Sequence, residues 1–237
     1  MDHERTPFHR LGLGTHPVAL PEAFVLAFDV ATFAEDDFHR HGVARPTSIV
    51  RSVPKRQAEY LAGRRAALAA LREAGSDATD LSIGPDRAPC WPAGFIGSIS
   101  HATGIAAAIA VTTTAGVNGI GIDVERIGAA EHTEAIRSIA LVAHEEAVLA
   151  SLAAARGWPY ALTLAFSAKE SFYKATAATV GHFFDFSALR IDACDAHQAT
   201  LDTRIVETLA PALPTGQRHV VRWVEPSPGV LLTSCAW

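Results

Sequence analysis

Apolar and polar positions recur with helical spacing in three parts of the chain. These parts are residues 54–74, 143–156 and 159–179. Pro54 and Gly75 bound the first stretch, and Pro159 and Gly181 bound the last. Proline favours the first turn of a helix and glycine favours the position after its end, so we expect long helices here.

Short runs rich in β-branched and aromatic residues predict strands. In chain order they are residues 24–30, 95–100, 105–111, 120–126, 189–194, 200–209, 219–225 and 230–235. Only residues 101–104 separate the second run from the third, and this spacing predicts a hairpin. The last four runs predict antiparallel strands. Residues 1–22, which are rich in histidine, proline and glycine, predict a loosely structured segment.

Both halves of the chain have the same order of predicted elements: strand, helix, then strands. A glycine-containing joint at residues 116–121 separates the halves. This order predicts an α+β fold of two similar lobes, residues 1–118 and 119–237, that share an interface.

Composition and charge narrow the class of protein. With 49% hydrophobic and 19% charged residues, the chain has enough apolar material for a folded core. A net charge of −5 argues against a non-specific nucleic-acid binder, which needs a basic face. The N-terminus is not typical of a signal peptide and no apolar run approaches the ~20 residues of a membrane span, so we expect a cytoplasmic protein without a membrane segment.

The three cysteines are scattered and form no C-x-x-C pair. This pattern favours neither a disulfide framework nor a zinc site. We expect three reduced thiols, buried as small hydrophobic residues.

Two carboxylates lie two positions apart in the predicted strand 120–126. Asp123 and Glu125 therefore project from one face, and Ile122 and Val124 from the other. Neighbouring carboxylates repel each other unless a cation lies between them, and a hard divalent ion such as Mg²⁺ prefers oxygen ligands. The alternative is a strand with one solvent-exposed face, where this pattern is common.

Lysine is scarce but concentrated. Of the 20 basic residues only three are lysines, and two of these, Lys169 and Lys174, lie close to Glu170 in the third predicted helix. A carboxylate with two flexible ammonium groups suits a metal-bound phosphate. The alternative is an ordinary surface ion pair of Glu170 and Lys174, which stabilises a helix by only about 0.3 kcal/mol.

The first predicted helix carries a ridge of two arginines with an aromatic residue between them. Arg56, Tyr60 and Arg64 recur at intervals of four residues. Such a ridge suits an anionic ligand with a flat ring, although a solvated helix face is the alternative. His101 lies at a strand end near hydroxyl groups, where it could donate to a phosphate or serve only the structure.

Taken together, two motifs resemble the paired signature of the 4′-phosphopantetheinyl transferases of the Sfp type. They are G-I-D-V-E at residues 121–125 and F-S-A-K-E-S-F-Y-K-A at residues 166–175. Three upstream segments are similar to the branch of this family that includes the enterobactin synthase component. They are R-Q-A-E-Y-L-A-G-R at residues 56–64, R-A-P-C-W-P at 87–92 and G-S-I-S-H at 97–101.

The resemblance implies a fold, a reaction and a set of partners. The fold would be two α+β lobes related by a pseudo-twofold axis, with the active site at their interface. The enzyme would transfer the 4′-phosphopantetheine group of coenzyme A to a serine of an apo acyl or peptidyl carrier protein, with Mg²⁺ as cofactor and 3′,5′-ADP as the second product. Carriers of siderophore or polyketide biosynthesis are the expected partners, and two fused lobes make a monomer sufficient.

The resemblance also implies roles for individual residues. The implied metal ligands are Asp123, Glu125 and Glu170, and the implied catalytic residues are Asp123, Glu170 and Lys174. The residues implied to bind coenzyme A are Arg56, Arg64, Arg87, Ser100, His101, Lys169 and Lys174.

Two functions from other classes stay open at this point. In a binding protein without turnover, Glu170 and Lys174 would be a helix ion pair, and Asp123 and Glu125 would be solvated. A Mg²⁺-dependent nuclease could use the same carboxylates, but it would need a basic groove, and the sequence has no run of lysine and arginine.

Overall fold

The computed structural model describes residues 8–16, 18–84, 87–128, 137 and 141–237. Contacts divide the chain into two units: unit 1 comprises the described residues up to Gly12 and Leu20–Gly116, and unit 2 comprises Leu13–Ala19 and Val117–Trp237. The sequence gives no sign that residues 13–19 pack with the second unit.

Unit 1 is a four-stranded antiparallel sheet with a long helix packed on it. Its strands are β1 (His9–Leu11), β2 (Ala23–Ala27), β3 (Phe95–Ala102) and β4 (Ile105–Thr112), and its helices are α1 (Asp37–Arg40), α2 (Thr47–Val50) and α3 (Pro54–Glu73). The order in the sheet is β1-β2-β4-β3. A short 3-10 helix spans Val30–Thr32.

The bounds of α3 follow from its terminal residues. Val53 is extended, and Pro54 occupies the first turn, where its missing N–H has no intrahelical partner to lose. After the helix ends, Gly75 has a φ of +92°, a conformation that other residues adopt at a cost. Between these ends the helix buries alanine and leucine side chains against the sheet, which places the polar ridge of α3 at a fixed position.

The hairpin of β3 and β4 is tighter than the sequence predicts. Ala102 pairs with Ile105, so the turn contains only Thr103 and Gly104, and Gly104 has a φ of +78°. Two-residue turns of this kind suit the twist of the strands that they join. The strand β3 therefore continues through His101 and carries that side chain on the sheet.

Among the described residues, unit 2 is a five-stranded antiparallel sheet with two long helices. Its elements are β5 (Ile120–Arg126), α4 (Ala143–Arg156), α5 (Trp158–Val180), β6 (Leu189–Asp195), β7 (Thr200–Ile205), β8 (Arg218–Ser227) and β9 (Val230–Ala236). The strand order is β5-β9-β8-β7-β6. A 3-10 helix spans Phe186–Ala188.

The core of unit 2 forms between α5 and the sheet. Leu164, Ala168 and Phe172 of α5 are fully buried, together with strand residues such as Ile191 and Leu231. The helix ends at Gly181, which has a φ of +73°. Several polar residues in the middle of α5 are also buried, among them Ser167, Lys169 and Ser171.

The helices and strands predicted from the sequence are present, and the mixed α+β class is confirmed. Several details differ, besides the turn of the hairpin. The strand predicted at 24–30 spans Ala23–Ala27. A short strand, His9–Leu11, forms within the segment predicted to be loosely structured, and the strand predicted at 200–209 ends at Ile205. Cys90 is exposed, so the prediction that all three thiols are buried is wrong, while Cys235 is fully buried. Among the described helices, none combines the length and apolar character that a membrane span requires.

Candidate active site

The first candidate site is built where β5 packs on α5, and two glycines allow the close approach. A Cβ atom at Gly119 would overlap the carbonyl oxygen of Ala175, and one at Gly121 would overlap that of Ser171. The strand therefore lies directly against the backbone of the helix. Because residues two apart on a strand share a face, the residues that follow Gly121 on this face are brought to α5.

Asp123 is the next residue on that face. It is 3% exposed, and its Oδ1 lies 2.6 Å from Nζ of Lys174 on α5. Ile122 and Val124, on the other face, are fully buried. The alternative of a solvent-exposed strand face does not hold for Asp123, and Lys174 pairs across two elements with this carboxylate.

The carboxyl groups of this cluster act on one another. Burial and, to a lesser extent, the charge of Asp123 raise the pKa of Glu125 to about 7, while Lys174 opposes this change. Burial also raises the pKa of Glu170, with Lys174 opposing and Asp123 adding to the effect. Ionisation of all three carboxyl groups in this cluster is therefore unfavourable. A further cation would stabilise their ionised forms.

Asp123, Glu125 and Glu170 supply the hard oxygen ligands that Mg²⁺ prefers. Their chemistry fits the ion, although no three acidic, histidine or cysteine side chains among the described residues are already arranged as a metal site. These three carboxylates are the residues of unit 2 that could hold Mg²⁺.

Lys169 has a different environment from Lys174. It is 3% exposed, and its Nζ lies 2.9 Å from Oε1 of Glu145, which is fully buried. Burial lowers the pKa of Lys169, and Glu145 opposes this change. An ammonium group held in the interior by a carboxylate is not presented to a ligand, so the geometry gives no support to the prediction that Lys169 contacts the pyrophosphate.

Glu145 is a residue that the sequence analysis misses. Its Oε2 accepts a hydrogen bond from the backbone N–H of Val142 at 2.9 Å, and its Oε1 accepts one from that of Ile191 at 2.8 Å. With Lys169, these bonds join the start of α4 to α5 and β6. The only signal in the sequence is an acidic residue in the first turn of a predicted helix, which is common.

The second candidate site is a pocket of unit 1 with a volume of about 450 Å³. It lies between α3, β3 and the segment around Arg87. Its lining residues are Ser48, Ile49, Ser52, Arg56, Glu59, Tyr60, Gly63, Arg64, Ile83, Arg87, Pro89, Ile99 and His101. The structure thus brings together Arg56, Arg64, Arg87 and His101, four residues predicted from the sequence to bind one ligand.

Ser100 does not join this group. It is 5% exposed and is not among the residues that line the pocket, whereas its neighbours Ile99 and His101 are. Neighbouring residues on a strand point to opposite faces, so Ser100 faces away from the pocket. The geometry gives no support to its predicted role in ligand binding.

Arg64 is a buried cation without an acidic partner among the described residues. It is 6% exposed, its guanidinium lies 4.7 Å from the centre of the Tyr60 ring, and Nη2 donates a long hydrogen bond of 3.5 Å to the carbonyl oxygen of Ser82. No carboxylate of the described residues lies within 4.0 Å of it, and its Nε has no hydrogen-bond partner among them. A buried charge in this state is unfavourable unless a ligand supplies the anion.

A cavity of similar size in unit 2 differs from this pocket because its arginine is paired with a carboxylate. Its volume is about 460 Å³, and its lining includes Arg156, Tyr160 and Glu225. Arg156 Nη2 lies 2.7 Å from Oε1 of Glu225, which also accepts a hydrogen bond from the hydroxyl of Tyr160. The cation of this cavity is already neutralised, so an anionic ligand has less reason to bind there.

Glu59 lies close to Arg56 and His101 in the lining of the unit 1 pocket. Arg56 Nη1 donates a hydrogen bond of 2.9 Å to Nε2 of His101. The Glu59 side chain is 11% exposed, and its Oε2 lies 3.8 Å from His101 Nδ1 and 4.0 Å from Arg56 Nη1. The sequence analysis misses Glu59, although its position three residues after Arg56 places both on one face of the helix.

Arg87 and Gly63 shape the pocket through the backbone. Arg87 has a φ of +61°, which is uncommon for a residue with a side chain and occurs most often at functional positions. Gly63 allows α3 to approach β3, since a Cβ there would lie 3.0 Å from Cγ2 of Ile99.

Comparison with known proteins identifies the family. A model described as the 4′-phosphopantetheinyl transferase N-terminal domain matches residues 45–111, and one described as the 4′-phosphopantetheinyl transferase superfamily matches residues 119–222. The first match contains the arginine pocket of unit 1, and the second contains the carboxylate cluster of unit 2.

Curated relatives agree with this match. The protein named enterobactin synthase component D of Salmonella typhi is 38% identical over 162 residues, which are 67% of this chain and 64% of that protein. The protein of the same name from Escherichia coli O157:H7 is 38% identical over 163 residues, 68% of this chain and 74% of that protein. 4′-Phosphopantetheinyl transferase Svp of Streptomyces mobaraensis is 33% identical over 192 residues, 79% of this chain and 75% of that protein. The chain thus spans less than two thirds of the Salmonella typhi protein, and it belongs to the 4′-phosphopantetheinyl transferase superfamily.

Proposed function

We propose that this chain transfers the 4′-phosphopantetheine group of coenzyme A to a serine of an apo carrier protein. The observation that carries the proposal is the buried guanidinium of Arg64, which lines a pocket with Arg56, Arg87 and His101 and has no acidic partner among the described residues. Such a pocket suits a polyanionic nucleotide, and coenzyme A is the nucleotide that the family uses.

The pocket of unit 1 is assigned to the nucleotide part of coenzyme A. Its volume of about 450 Å³ lies in the range of small-ligand sites. Guanidinium groups bind phosphate oxygens through paired hydrogen bonds, which favours Arg56, Arg64 and Arg87 as phosphate ligands.

The carboxylate cluster of unit 2 is assigned to Mg²⁺ and the pyrophosphate. Asp123, Glu125 and Glu170 would hold the ion, and the raised pKa values of Glu125 and Glu170 indicate the excess of negative charge that it would neutralise. When bound, the ion neutralises pyrophosphate oxygens and makes the phosphorus a better electrophile.

The reaction moves one phosphoryl group and one proton. The carrier serine oxygen forms a bond to the β-phosphorus of coenzyme A, and the bond from that phosphorus to the oxygen of the departing 3′,5′-ADP breaks. Glu170 accepts the serine proton, because burial brings its pKa closer to neutrality than that of an ordinary carboxyl group. Lys174 stabilises the negative charge that develops on the departing group.

Several features follow from the family and stay predictions. They are the pseudo-twofold relation of the lobes, the monomeric state and the cytoplasmic compartment. The names of the relatives favour a carrier protein of siderophore biosynthesis as the partner, with polyketide synthesis as the other predicted setting.

Mass spectrometry of an apo carrier protein tests the proposal. After incubation with the chain, coenzyme A and Mg²⁺, the carrier should gain the mass of one phosphopantetheine group and 3′,5′-ADP should accumulate. A binding protein would leave the carrier unchanged, and a nuclease would instead degrade added nucleic acid.

Asp123→Asn tests the assignment of the metal site within the same assay. We expect the rate of transfer to fall by a factor of about 10³ or more, since a ligand charge is lost where charge neutralisation dominates. Isothermal calorimetry should show weaker Mg²⁺ binding. Asp202→Asn, at an exposed position on β7, is the control and should keep both properties. Full turnover by the Asp123 variant would contradict the assignment.

A further inference from the structure

Of the described residues that line the nucleotide pocket, one is acidic: Glu59 lies among the cationic groups. Besides Arg56 and His101, which face its Oε2, the Nζ of Lys55 lies 3.9 Å from its Oε1. The carboxylate is 11% exposed, whereas Lys55 and Arg56 are about half exposed. It therefore lies beneath the cations, at the floor of their cluster.

A carboxylate in a phosphate-binding pocket has two opposite effects. It repels the incoming phosphate, because like charges in a partly buried site interact strongly. It also attracts the cations around it and holds them in place before the ligand arrives, which lowers the entropy lost on binding. The second effect is favoured, because the carboxylate of Glu59 is more buried than the cationic groups of Lys55 and Arg56.

His101 contacts both Arg56 and Glu59 through its two ring nitrogens. Because Arg56 donates to Nε2, that nitrogen is the acceptor, and in the neutral ring the proton is on Nδ1, on the side of Glu59. Arg56 and His101 are 2.9 Å apart and would repel each other if the ring were charged. Glu59 lies within 4.0 Å of both and offsets that repulsion.

We propose that Glu59 is a positioning residue of the nucleotide pocket: its carboxylate holds the pair of Arg56 and His101 in place, so that the guanidinium of Arg56 faces the phosphate of the bound nucleotide. This inference rests on the proposed function only in taking the pocket to bind a nucleotide phosphate. Glu59 touches neither the ligand nor the reacting atoms, and it acts through Arg56 and His101.

Calorimetry with 3′,5′-ADP tests the inference without any transfer reaction. Removal of the charge in Glu59→Gln should weaken binding by a factor of about 5–20, the usual effect of losing an organising charge contact. Glu59→Asp, which keeps the charge on a shorter side chain, should restore most of the affinity. Glu73→Gln, at the far end of α3 and outside the pocket, is the control and should bind like the wild type.

A second ligand separates positioning from general damage to the pocket. Adenosine has the same rings as 3′,5′-ADP but no phosphate, so its affinity, measured by ligand-observed NMR, should be the same in Glu59→Gln and the wild type. In the transfer assay, Glu59→Gln should raise the KM for coenzyme A by a similar factor and change kcat by less than about twofold. Equal melting temperatures would confirm that the variant is folded.

The possible outcomes are distinct. Unchanged or tighter binding of 3′,5′-ADP by Glu59→Gln, or an equal loss for adenosine, would overturn the inference, as would a wild-type protein that binds neither ligand. A wild-type protein that binds 3′,5′-ADP but transfers nothing to the carrier would overturn the proposed function and leave the role of Glu59 to be decided by binding alone.

Discussion

Arg64 is the residue of the unit 1 pocket whose burial most directly supports the proposed ligand. Its guanidinium is buried beside Tyr60 and has no carboxylate of the described residues within 4.0 Å. Buried charges of this kind are usually paired, as Lys169 is with Glu145. An unpaired cation that persists in a pocket is best explained by the anion that it receives from a ligand.

Arg64→Met should therefore weaken the binding of coenzyme A without lowering the stability of the protein. We expect the melting temperature to stay the same or rise, because an apolar side chain of similar length replaces a buried charge. The KM for coenzyme A should rise about 10–100-fold, since hydrogen bonds to charged groups contribute about 1.5–3 kcal/mol. Thermal unfolding and steady-state kinetics measure the two effects.

Arg72→Ala is the matched control for this variant. Arg72 lies on the same helix but is exposed and outside the pocket. It should change neither the KM nor the melting temperature appreciably. An Arg64→Met protein with a lower melting temperature and an unchanged KM would show that the guanidinium serves the fold instead.

At the residue scale, the sequence predicts side chains that lie on one element and misses those defined by partners far away in the chain. Arg56 and Arg64 were predicted because four-residue spacing places them on one ridge. Glu145 could not be predicted from the sequence, because its partners Lys169 and Ile191 lie 24 and 46 positions away. For the same reason Lys169 was predicted to bind a ligand, since burial does not show in the local pattern.

At the scale of elements, the position of Asp123 relative to Lys174 depends on the contact between β5 and α5. Gly119 and Gly121 leave no space between the strand and the helix backbone. Because protein interiors are densely packed, a displacement of β5 would therefore change its position relative to α5 and move Asp123 with it.

Gly121→Ala should disturb both the fold and the site. Its Cβ would overlap the carbonyl oxygen of Ser171, a backbone atom that cannot rotate away. We expect the free energy of unfolding in urea to fall by about 3 kcal/mol and the transfer rate to fall with it, as overpacking shifts the strand. Gly12→Ala, where a Cβ meets nothing within 4 Å, is the control. A stable and active Gly121 variant would contradict this role of the glycine.

The ion pair of Lys169 and Glu145 is a second contact between elements, since it joins α4 and α5. Lys169→Ala should lower the free energy of unfolding by about 3–5 kcal/mol, because it leaves a buried carboxylate without its partner. A ligand-binding role would instead raise the KM for coenzyme A without loss of stability. Urea unfolding and kinetics on the folded fraction distinguish the two roles.

The elements themselves were largely predictable, because each has clear local signals. Pro54 and Gly75 mark the ends of α3, and Gly181 marks the end of α5. The short strand β1 was not predicted, since its three residues form a strand only by pairing with β2. Local patterns do not show such pairing.

At the scale of the whole molecule, the stability of unit 2 is sensitive to acid. The segment 13–19 is anchored by His16, whose Nε2 lies 2.9 Å from Oγ of Ser234 on β9. Burial and the nearby Arg222 lower the pKa of His16 from 6.5 to about 4, and burial also lowers that of His219. Both rings are therefore neutral in the folded protein at a pH where the unfolded chain binds protons.

Because the unfolded state binds more protons below pH 6.5, the free energy of unfolding should decrease as the pH falls towards 4. The difference between the two pKa values of His16 corresponds to a loss of about 3 kcal/mol across this range. Urea unfolding at a series of pH values tests this. In His16→Gln, the decrease in the free energy of unfolding between pH 6.5 and 4 should be smaller by about this amount, because the uncharged amide has no proton to gain. His197→Gln, at an exposed position, should keep the slope of the wild type. Parallel curves for the wild type and the His16 variant would show that protonation of this ring does not oppose folding, and the acid sensitivity would then have to come from other groups.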